Sequence, residues 1–286
     1  MSLSSIAILS PGLLGGSLAM AVRERMPGVE IRVWARREES AQRTRDLGLA
    51  DAASTDAAAI AAGAGIVVFC MPIGAMPEIA AQIAPAVSRE ALITDVGSVK
   101  QPVVSSLGPI FLGRAEFIGS HPMAGSEQTG IEAARADLFQ GAVTFVTPDA
   151  ETAPGAIDAM ARFWEAVGCR VVVASPRQHD EAVALISHLP HLAAAALVQT
   201  VLRENPTALD WRGSGFMDIT RIASGPPSMW AEILLENRAA VTRAIHALIE
   251  NLSETARFLE GQDASSIEHY LAEAKRARDR LRKASQ

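Results

Sequence analysis

The segment "ILSPGLLGGSLAMA", residues 8–21, joins an apolar strand to a helix through a short turn that contains glycine. Its spacing follows the G-x-G-x-x-G fingerprint of dinucleotide-binding loops, with Ser10 in place of the first glycine and Gly12 and Gly15 at the other two positions. The fingerprint is informative only where it follows a strand and opens a helix. This segment meets that condition, so it indicates a dinucleotide-binding loop.

Each position of the turn has a physical role in such a loop. Gly12 lets the backbone approach a pyrophosphate, Gly15 lets the helix pack closely on the strand, and the first helical N–H groups face the phosphates. Because Pro11 favours extended backbone in the residue before it, we expect Ser10 to have a negative φ. The alternative is a plain strand-to-helix turn whose glycines serve packing alone. The expected cofactor-binding residues of the turn are Gly12, Leu13, Leu14 and Gly15.

Outward from this turn, strand-like and helix-like runs alternate along the first half of the chain. The strand-like runs cover residues 5–9, 29–35, 65–72, 91–98, 116–123, 142–148 and 169–176. This alternation predicts an α/β fold with a doubly wound, mainly parallel sheet. Beyond Pro176 the pattern is almost entirely helical, with one long helix expected over 228–259. We therefore expect a dinucleotide-binding domain at 1–176 and a helical domain at 177–286.

Composition excludes several classes of protein. The formal net charge of -6 gives no basic footprint for nucleic acid. The 2 cysteines, Cys70 and Cys169, lie far apart in apolar runs, which favours free thiols in a reducing compartment over a metal site. The N-terminus does not resemble a signal peptide, and we expect no apolar stretch long enough to span a bilayer. The sequence predicts a cytoplasmic protein without a metal, a membrane or a nucleic acid partner.

The end of the second strand-like run bears on the choice of dinucleotide. NAD-binding loops place an Asp or Glu there for the ribose hydroxyls. Here the run continues into Arg36 and Arg37, with no acid at that point. Two guanidinium groups suit a 2′-phosphate, so we predict that NADP is preferred and that NAD is also possible. The alternative is that both arginines are solvated residues at the start of a helix.

A histidine follows one of the later strands in a position suited to chemistry. The runs "ITDVGSVK" (93–100) and "GSHPMAGSEQTG" (119–130) each leave the end of a strand, where open α/β sheets bind their ligands. His121 lies in the second run. A histidine can take a proton from a hydroxyl near neutral pH, as alcohol oxidation by hydride transfer requires. The alternative is a structural histidine bonded to the loop backbone.

Four motifs occur together and in one order: "VGSVK", "SHPMAGSEQTG", "HDEAVALISHLPH" and "GFMDITRIA". With them the chain resembles the prephenate and arogenate dehydrogenase family of tyrosine biosynthesis over nearly its whole length. The resemblance implies a Rossmann domain followed by a helical domain that forms a homodimer, with the active site in the cleft between them. It also implies oxidation of prephenate or arogenate with loss of CO2 and transfer of hydride to a nicotinamide cofactor.

The resemblance assigns roles by motif. His121 resembles the catalytic histidine that takes the proton from the ring hydroxyl, and Ser98 resembles the serine that hydrogen-bonds this histidine near the nicotinamide. Arg221 resembles the arginine that binds a substrate carboxylate, and His191 the histidine that holds the substrate's side chain or ring. Further predicted substrate-binding residues are Asp218, Glu127 and His179. Further predicted cofactor-binding residues are Met71, Pro72, Ser98 and Thr129.

Two alternatives are set against this interpretation. Other two-domain β-hydroxyacid-type dehydrogenases or reductases use a lysine on the interdomain helix, and residues 178–203 contain none. A cofactor-binding regulator without catalysis would be expected to lack the pair of His121 and Arg221. The choice between prephenate and arogenate stays open, because the two differ only in a keto or an amino group.

Overall fold

The computed structural model describes residues 3–126 and 128–284. Its first part holds a parallel sheet of 6 strands in the order β3-β2-β1-β4-β5-β6. This is the strand order of dinucleotide-binding folds, with the ligand crevice where the order reverses, beside β1 and β4. The strands are β1 (Ser5–Leu9), β2 (Glu30–Trp34), β3 (Ala52–Ser54), β4 (Ile66–Phe69), β5 (Leu92–Asp95) and β6 (Glu116–Phe117). The helices of this part are α1 (Leu13–Arg25), α2 (Glu38–Asp46), α3 (Ala57–Ala61), α4 (Met76–Ile83) and α5 (Gln101–Phe111).

Helices cover both faces of this sheet, which explains the unbroken apolar runs of its strands. Along β1, Ile6 and Ile8 pack into one hydrophobic core, while Ala7 and Leu9 pack into the core on the other face. All four side chains are fully buried. The predicted α/β class with a mainly parallel sheet is confirmed. The three-residue strand β3 was not expected, because Ala and Ser give little strand propensity.

A second, 3-stranded sheet continues the chain. Its strands are β7 (Gly119–Pro122), β8 (Val143–Thr147) and β9 (Arg170–Val173), and α6 (Pro154–Val167) precedes β9. β7 pairs antiparallel with β8, and β8 pairs parallel with β9. The single strand predicted over 116–123 is therefore wrong. The chain leaves β6 at Ile118 and joins the other sheet, so His121 lies on a strand of the second sheet.

From Pro176 onward the described residues form helices joined by short connections. The helices are α7 (Pro176–Val183), α8 (Leu189–Glu204), α9 (Ser214–Thr220), α10 (Pro227–Glu236), α11 (Arg238–Glu260) and α12 (Ala264–Ala284). The long helix predicted over 228–259 is interrupted at Asn237, whose buried amide bonds the carbonyl of Asp180 instead of facing solvent. By contacts the chain divides into two compact units, 1–238 and 239–286. The division predicted at 176 stays a prediction.

A π-helical turn, Ala184–His188, joins α7 to α8. Its characteristic hydrogen bond runs from the N–H of Leu189 to the carbonyl of Ala184, one residue further back than in an α-helix. Pro190 explains the turn, because its ring would clash with the carbonyl four residues earlier in a regular helix and it has no N–H to donate. The wider turn removes that conflict.

The stretch Pro176–Glu204 is long and apolar enough to cross a membrane by length and composition alone. The expectation that no apolar stretch reaches this length is therefore wrong. The stretch also carries His179, Asp180 and His188, which are buried among polar partners of the first unit. Of the apolar window within this stretch, 28% is buried.

Ser10 departs from the expected backbone conformation. Its φ is 90°, in the left-handed region, although Pro11 follows it. Its N–H donates to the carbonyl of Trp34 at 2.8 Å, which fixes the end of β1 against β2. The serine therefore occupies a conformation that favours glycine, the usual residue at this point of the fingerprint.

We expect Ser10→Gly to raise the free energy of unfolding by up to about 1 kcal/mol. Relief of the positive φ is worth about 1–2 kcal/mol, and the greater freedom of glycine in the unfolded chain offsets part of it. Urea unfolding measures the change. The control is Ser105→Gly, within α5, which should lower stability by about 0.5 kcal/mol. A loss of stability in Ser10→Gly would contradict the proposed strain.

Candidate active site

The glycine turn leaves an open N-terminus on α1. Gly12 precedes the helix without a side-chain cap, and a Cβ added there would meet no atom within 4 Å. At Gly15 an added Cβ would lie 2.0 Å from the carbonyl oxygen of Ser10, so only glycine fits. The first N–H groups of a helix have no partner within it and attract anions. This cradle fits the pyrophosphate of a dinucleotide.

A cavity of about 350 Å³ lies beside this cradle. It is lined by Ser10, Pro11, Gly12, Glu39, Ser40, Arg43, Gly130 and Ile131. Arg43 is held by Glu132 through two bonds of 2.8 and 3.1 Å. Both the cavity and the open helix end lie at the carboxyl edge of the sheet, where the fold binds its ligands.

The other predicted cofactor residues surround this edge. Arg36 and Arg37 are exposed between β2 and α2. Met71 is buried and Pro72 exposed, just after β4, which is the neighbour of β1. Thr129 is exposed next to the cavity-lining Gly130. Their roles toward a cofactor stay predictions.

Three side chains form a hydrogen-bonded series that ends at His121. The Nδ1 of His121 lies 2.8 Å from the Nε2 of His179. The Nδ1 of His179 lies 2.7 Å from Oδ1 of Asp180. Asp180 also accepts the N–H groups of Lys100 at 2.7 Å and Gln101 at 2.9 Å, at the start of α5. This carboxylate therefore anchors both the helix and the histidine pair.

The series fixes which nitrogen of each ring carries hydrogen. A carboxylate only accepts, so the Nδ1 of His179 must donate to Asp180. The Nε2 of His179 is then an acceptor and takes the Nδ1–H of His121. The Nε2 of His121 is left with a free lone pair. His121 is thus held in the form that can accept a proton.

Electrostatics favour the same neutral form. Burial, followed by the neighbouring His179, Lys100 and His188, holds the pKa of His121 well below its ordinary value of 6.5. Burial also lowers the pKa of His179, against the opposing effect of Asp180. Burial lowers the pKa of His188 to about 4. These rings are neutral at pH 7.

A second cavity, of about 340 Å³, opens onto His121. Ser98 and Arg221 line it together with His121, and their roles toward substrate and cofactor stay predictions. Ser187, His188, Met229 and Trp230 come from the helical part. No hydrogen bond joins Ser98 to His121 in the described part of the chain. The cavity combines a base, a cation and an aromatic wall.

Other predicted substrate residues lie elsewhere. His179 is fully buried, packs against Phe145 and is not among the described residues that line this cavity, and its predicted contact with a substrate stays a prediction. His191 is buried and stacks on Trp230, with ring centroids 3.6 Å apart. Asp218 is exposed on α9 and is not among the described lining residues. Glu127 falls outside the described residues.

Sequence reasoning missed several members of the site. Asp180 follows His179 directly in "HDEAVAL", a pairing that could have suggested an orienting carboxylate. His188 lines the cavity, accepts a 3.2 Å contact from the amide of Asn237 at Nδ1, and has a buried Nε2 with no described partner. Trp230 carried no signal in the sequence, because its role depends on α10 meeting α8.

The low pKa values predict a loss of stability in acid. The unfolded chain binds protons at these histidines near pH 6.5, whereas the folded chain does not, so stability falls as the pH drops below about 6.5. Each histidine contributes a slope of up to about 1.4 kcal/mol per pH unit. Urea unfolding between pH 7.5 and 4.5 tests this. His188→Asn should reduce the slope, and a stability that stays flat across this pH range would contradict the prediction.

Comparisons with known proteins cover almost all of the chain. The sequence profile of the family described as "Prephenate dehydrogenase, nucleotide-binding domain" matches residues 18–173. The profile described as "Prephenate dehydrogenase, dimerization domain" matches residues 175–273.

Individual relatives agree with these profiles. The cyclohexadienyl dehydrogenase of Zymomonas mobilis is 34% identical over 277 residues, which cover 96% of this chain and 94% of that protein. The prephenate dehydrogenase of Bacillus subtilis is 34% identical over 97% of this chain and 76% of that protein. The crystal structure of the prephenate dehydrogenase of A. aeolicus, in complex with hydroxyphenyl propionate and NAD+, matches with a TM-score of 0.91 at 32% identity, over 98% of this chain and 99% of that one.

Proposed function

The chain belongs to the prephenate dehydrogenase family, and we propose that His121 is the base of its reaction and that Arg221 binds a substrate carboxylate. The reaction is the oxidative decarboxylation of prephenate to 4-hydroxyphenylpyruvate, or of arogenate to tyrosine, in tyrosine biosynthesis. The observation that carries the proposal is the series from Asp180 through His179 to His121, which ends at a cavity also lined by Arg221.

The proton moves at the Nε2 of His121. This nitrogen accepts the proton of the ring hydroxyl, and the resulting carbonyl develops as hydride leaves the same ring carbon. A bound nicotinamide supplies the hydride acceptor. The ring carboxylate departs as CO2, and its bonding electrons make the ring aromatic by shifting the carbonyl electrons onto the oxygen. That oxygen then takes back a proton to give the phenol, which returns His121 to its neutral form. Because burial keeps His121 neutral before the reaction, the base is available at neutral pH.

Asp180 and His179 serve this step by holding the base. The Nε2 of His179 keeps the hydrogen of His121 on Nδ1, and Asp180 stabilises the positive charge that develops on the histidines as the proton arrives. Asp180 is itself fixed by two backbone N–H groups, at Lys100 and Gln101. An orienting carboxylate of this kind holds the base within reach of its proton and favours one ring form.

Binding groups in the cavity match a substrate that carries carboxylates. Arg221 offers a planar cation for charge-assisted bonds to one carboxylate. His188 lines the same cavity, and its Nε2 carries hydrogen because Nδ1 accepts from Asn237. A buried donor without a partner costs about 1–3 kcal/mol, so a substrate oxygen bonded there would relieve that cost. Trp230 supports the ring from one side.

We propose NADP as the preferred cofactor, held at the phosphates by the open end of α1 and at the 2′-phosphate by Arg36 and Arg37. Replacing both arginines by alanine should lower the ratio of kcat/KM for NADP to that for NAD by about 10- to 100-fold, the equivalent of the charge-assisted bonds lost. Steady-state kinetics with both cofactors measure the ratio. Arg89→Ala, at an exposed position, is the control. Equal efficiency of the unaltered enzyme with NAD and NADP would contradict the proposal.

A cytoplasmic homodimer formed through the helical part is the assembly that we propose. The family profile over 175–273 is that of a dimerisation domain. Large apolar side chains are exposed on this part, among them Leu185, Ile186, Leu197, Leu202, Met217 and Ile219. Light scattering after gel filtration should give twice the chain mass of 30.2 kDa. A monomer, or a protein recovered only with membranes, would contradict it.

The experiment that tests the function is a direct assay of four pairings. Prephenate and L-arogenate are each offered with NAD and with NADP, and the absorbance of reduced nicotinamide is followed. Turnover of either substrate supports the proposal, and the best pairing identifies substrate and cofactor together. A folded protein that binds a dinucleotide but turns over neither substrate would overturn it.

A further inference from the structure

An ion pair is buried directly behind the base, outside the described lining of the cavity. Asp95 ends β5 and Lys100 precedes α5, and both side chains are 0% exposed. The Nζ of Lys100 bonds Oδ2 of Asp95, which also accepts the N–H of Gly97 at 2.7 Å. Burial lowers the pKa of Lys100, and Asp95 opposes that effect. Together they form a salt bridge between a lysine cation and a carboxylate.

The pair hydrogen-bonds the backbone of Ser120, the residue before His121. Oδ1 of Asp95 accepts the N–H of Ser120 at 3.1 Å, and the Nζ of Lys100 donates to the carbonyl of Ser120 at 2.8 Å. The hydroxyl of Thr94 adds a bond of 2.7 Å to the hydroxyl of Ser120. β7 pairs with β8 and not with β5, so these side chains connect the strand of the base to the large sheet.

Stability alone does not account for such a pair. Removing two charges from water is costly, and apolar side chains of similar volume are often at least as stabilising in such a position. Neither side chain is among the described cavity-lining residues, so neither binds substrate there. What the pair does supply is a fixed backbone position for His121 and a cation close to its ring.

We propose that Lys100, paired with Asp95, is a positioning residue that fixes the strand of His121 and keeps a positive charge behind the base. The inference rests on the proposed role of His121. A cation there disfavours the protonated ring, so the base stays neutral in more acidic solution. The surroundings of His121 lower its pKa. Burial is the largest cause, and His179, Lys100 and His188 lower the pKa further.

Several charged or titratable groups surround the base. His179 and Asp180 face it from α7, and His188 from the π-helical turn. Lys100 and Asp95 face it from the β5 side, and Arg221 lines the same cavity. Of these, Lys100 is a buried cation whose removal leaves the hydrogen-bonded series of the base intact.

The test uses the full-length enzyme and the variants Lys100→Met and Asp95→Asn/Lys100→Met. The double variant leaves no unpaired buried charge, so it keeps the test possible if the single variant does not fold. The pKa of His121 is followed by NMR of its ring Cε1–H, assigned with His121→Asn, and the acid limb of kcat/KM is measured in parallel. The NMR titration does not depend on catalysis, so it separates a failure of this inference from a failure of the proposed function.

We expect the midpoint for His121 to rise by about half a unit to one unit in Lys100→Met, and by less in the double variant. Lys100→Arg, which keeps the charge, should restore the midpoint toward that of the unaltered enzyme. A lower kcat with the His121 titration midpoint unchanged in both Lys100→Met and Asp95→Asn/Lys100→Met would show a purely structural pair and overturn the inference.

Discussion

His121→Asn is expected to lower kcat by about 10²- to 10⁴-fold, the usual contribution of a positioned general base. Asparagine offers no ring nitrogen with a free lone pair, so the hydroxyl proton has no acceptor inside the cavity. Dinucleotide affinity should not change, because the cradle at Gly12 and Gly15 belongs to a different strand and helix. Stopped-flow or steady-state measurement of reduced nicotinamide gives kcat, and fluorescence titration gives the affinity.

The matched control is Ser126→Ala, in the loop that follows the strand of His121 and lining the same cavity. It removes a polar group near the substrate without removing the base, so its effect on kcat should be far smaller. The pH profile gives a second check. Because the pKa of His121 lies well below 6.5, kcat/KM of the unaltered enzyme should hold its plateau below pH 6.5. If His121→Asn retained more than a tenth of the kcat of the unaltered enzyme, the role of His121 as the base would be contradicted.

The sequence predicts the features that depend on neighbouring residues. Local spacing predicts the glycine turn and the alternation of strands and helices. It also predicts that this alternation ends near Pro176. His121 could be singled out because it follows a strand and lies in an uncommon motif. Gly15 could be assigned to close packing, and the carbonyl of Ser10 confirms why.

Features that depend on distant residues could not be predicted in the same way. His179 is 58 positions from His121 and Asp180 is 80 positions from Lys100, so no local period connects them. The positive φ of Ser10 is the converse case: the local rule for a residue before proline favours extended backbone, and the bond from Ser10 to Trp34 overrides it. Partners across the fold determined the outcome in both.

His179→Leu is expected to lower kcat by about 5- to 150-fold, which is the loss of one buried hydrogen bond worth about 1–3 kcal/mol. Leucine cannot accept the Nδ1–H of His121, so the ring is free to place its hydrogen on Nε2, where it blocks proton acceptance. KM should change little, because His179 lies behind the base and outside the described cavity lining. Steady-state kinetics separate the two parameters.

His179→Gln is the informative partner to this variant. The amide oxygen of glutamine can stand where Nε2 of His179 stands and accept the same hydrogen, so most of kcat should return. If His179 acted only by filling space, His179→Leu would keep a higher kcat than His179→Gln, because leucine packs against the ring of Phe145 as well as glutamine does or better. Equal kcat in the two variants, or a change confined to KM, would contradict the assignment of His179 as the residue that sets the hydrogen position on the base.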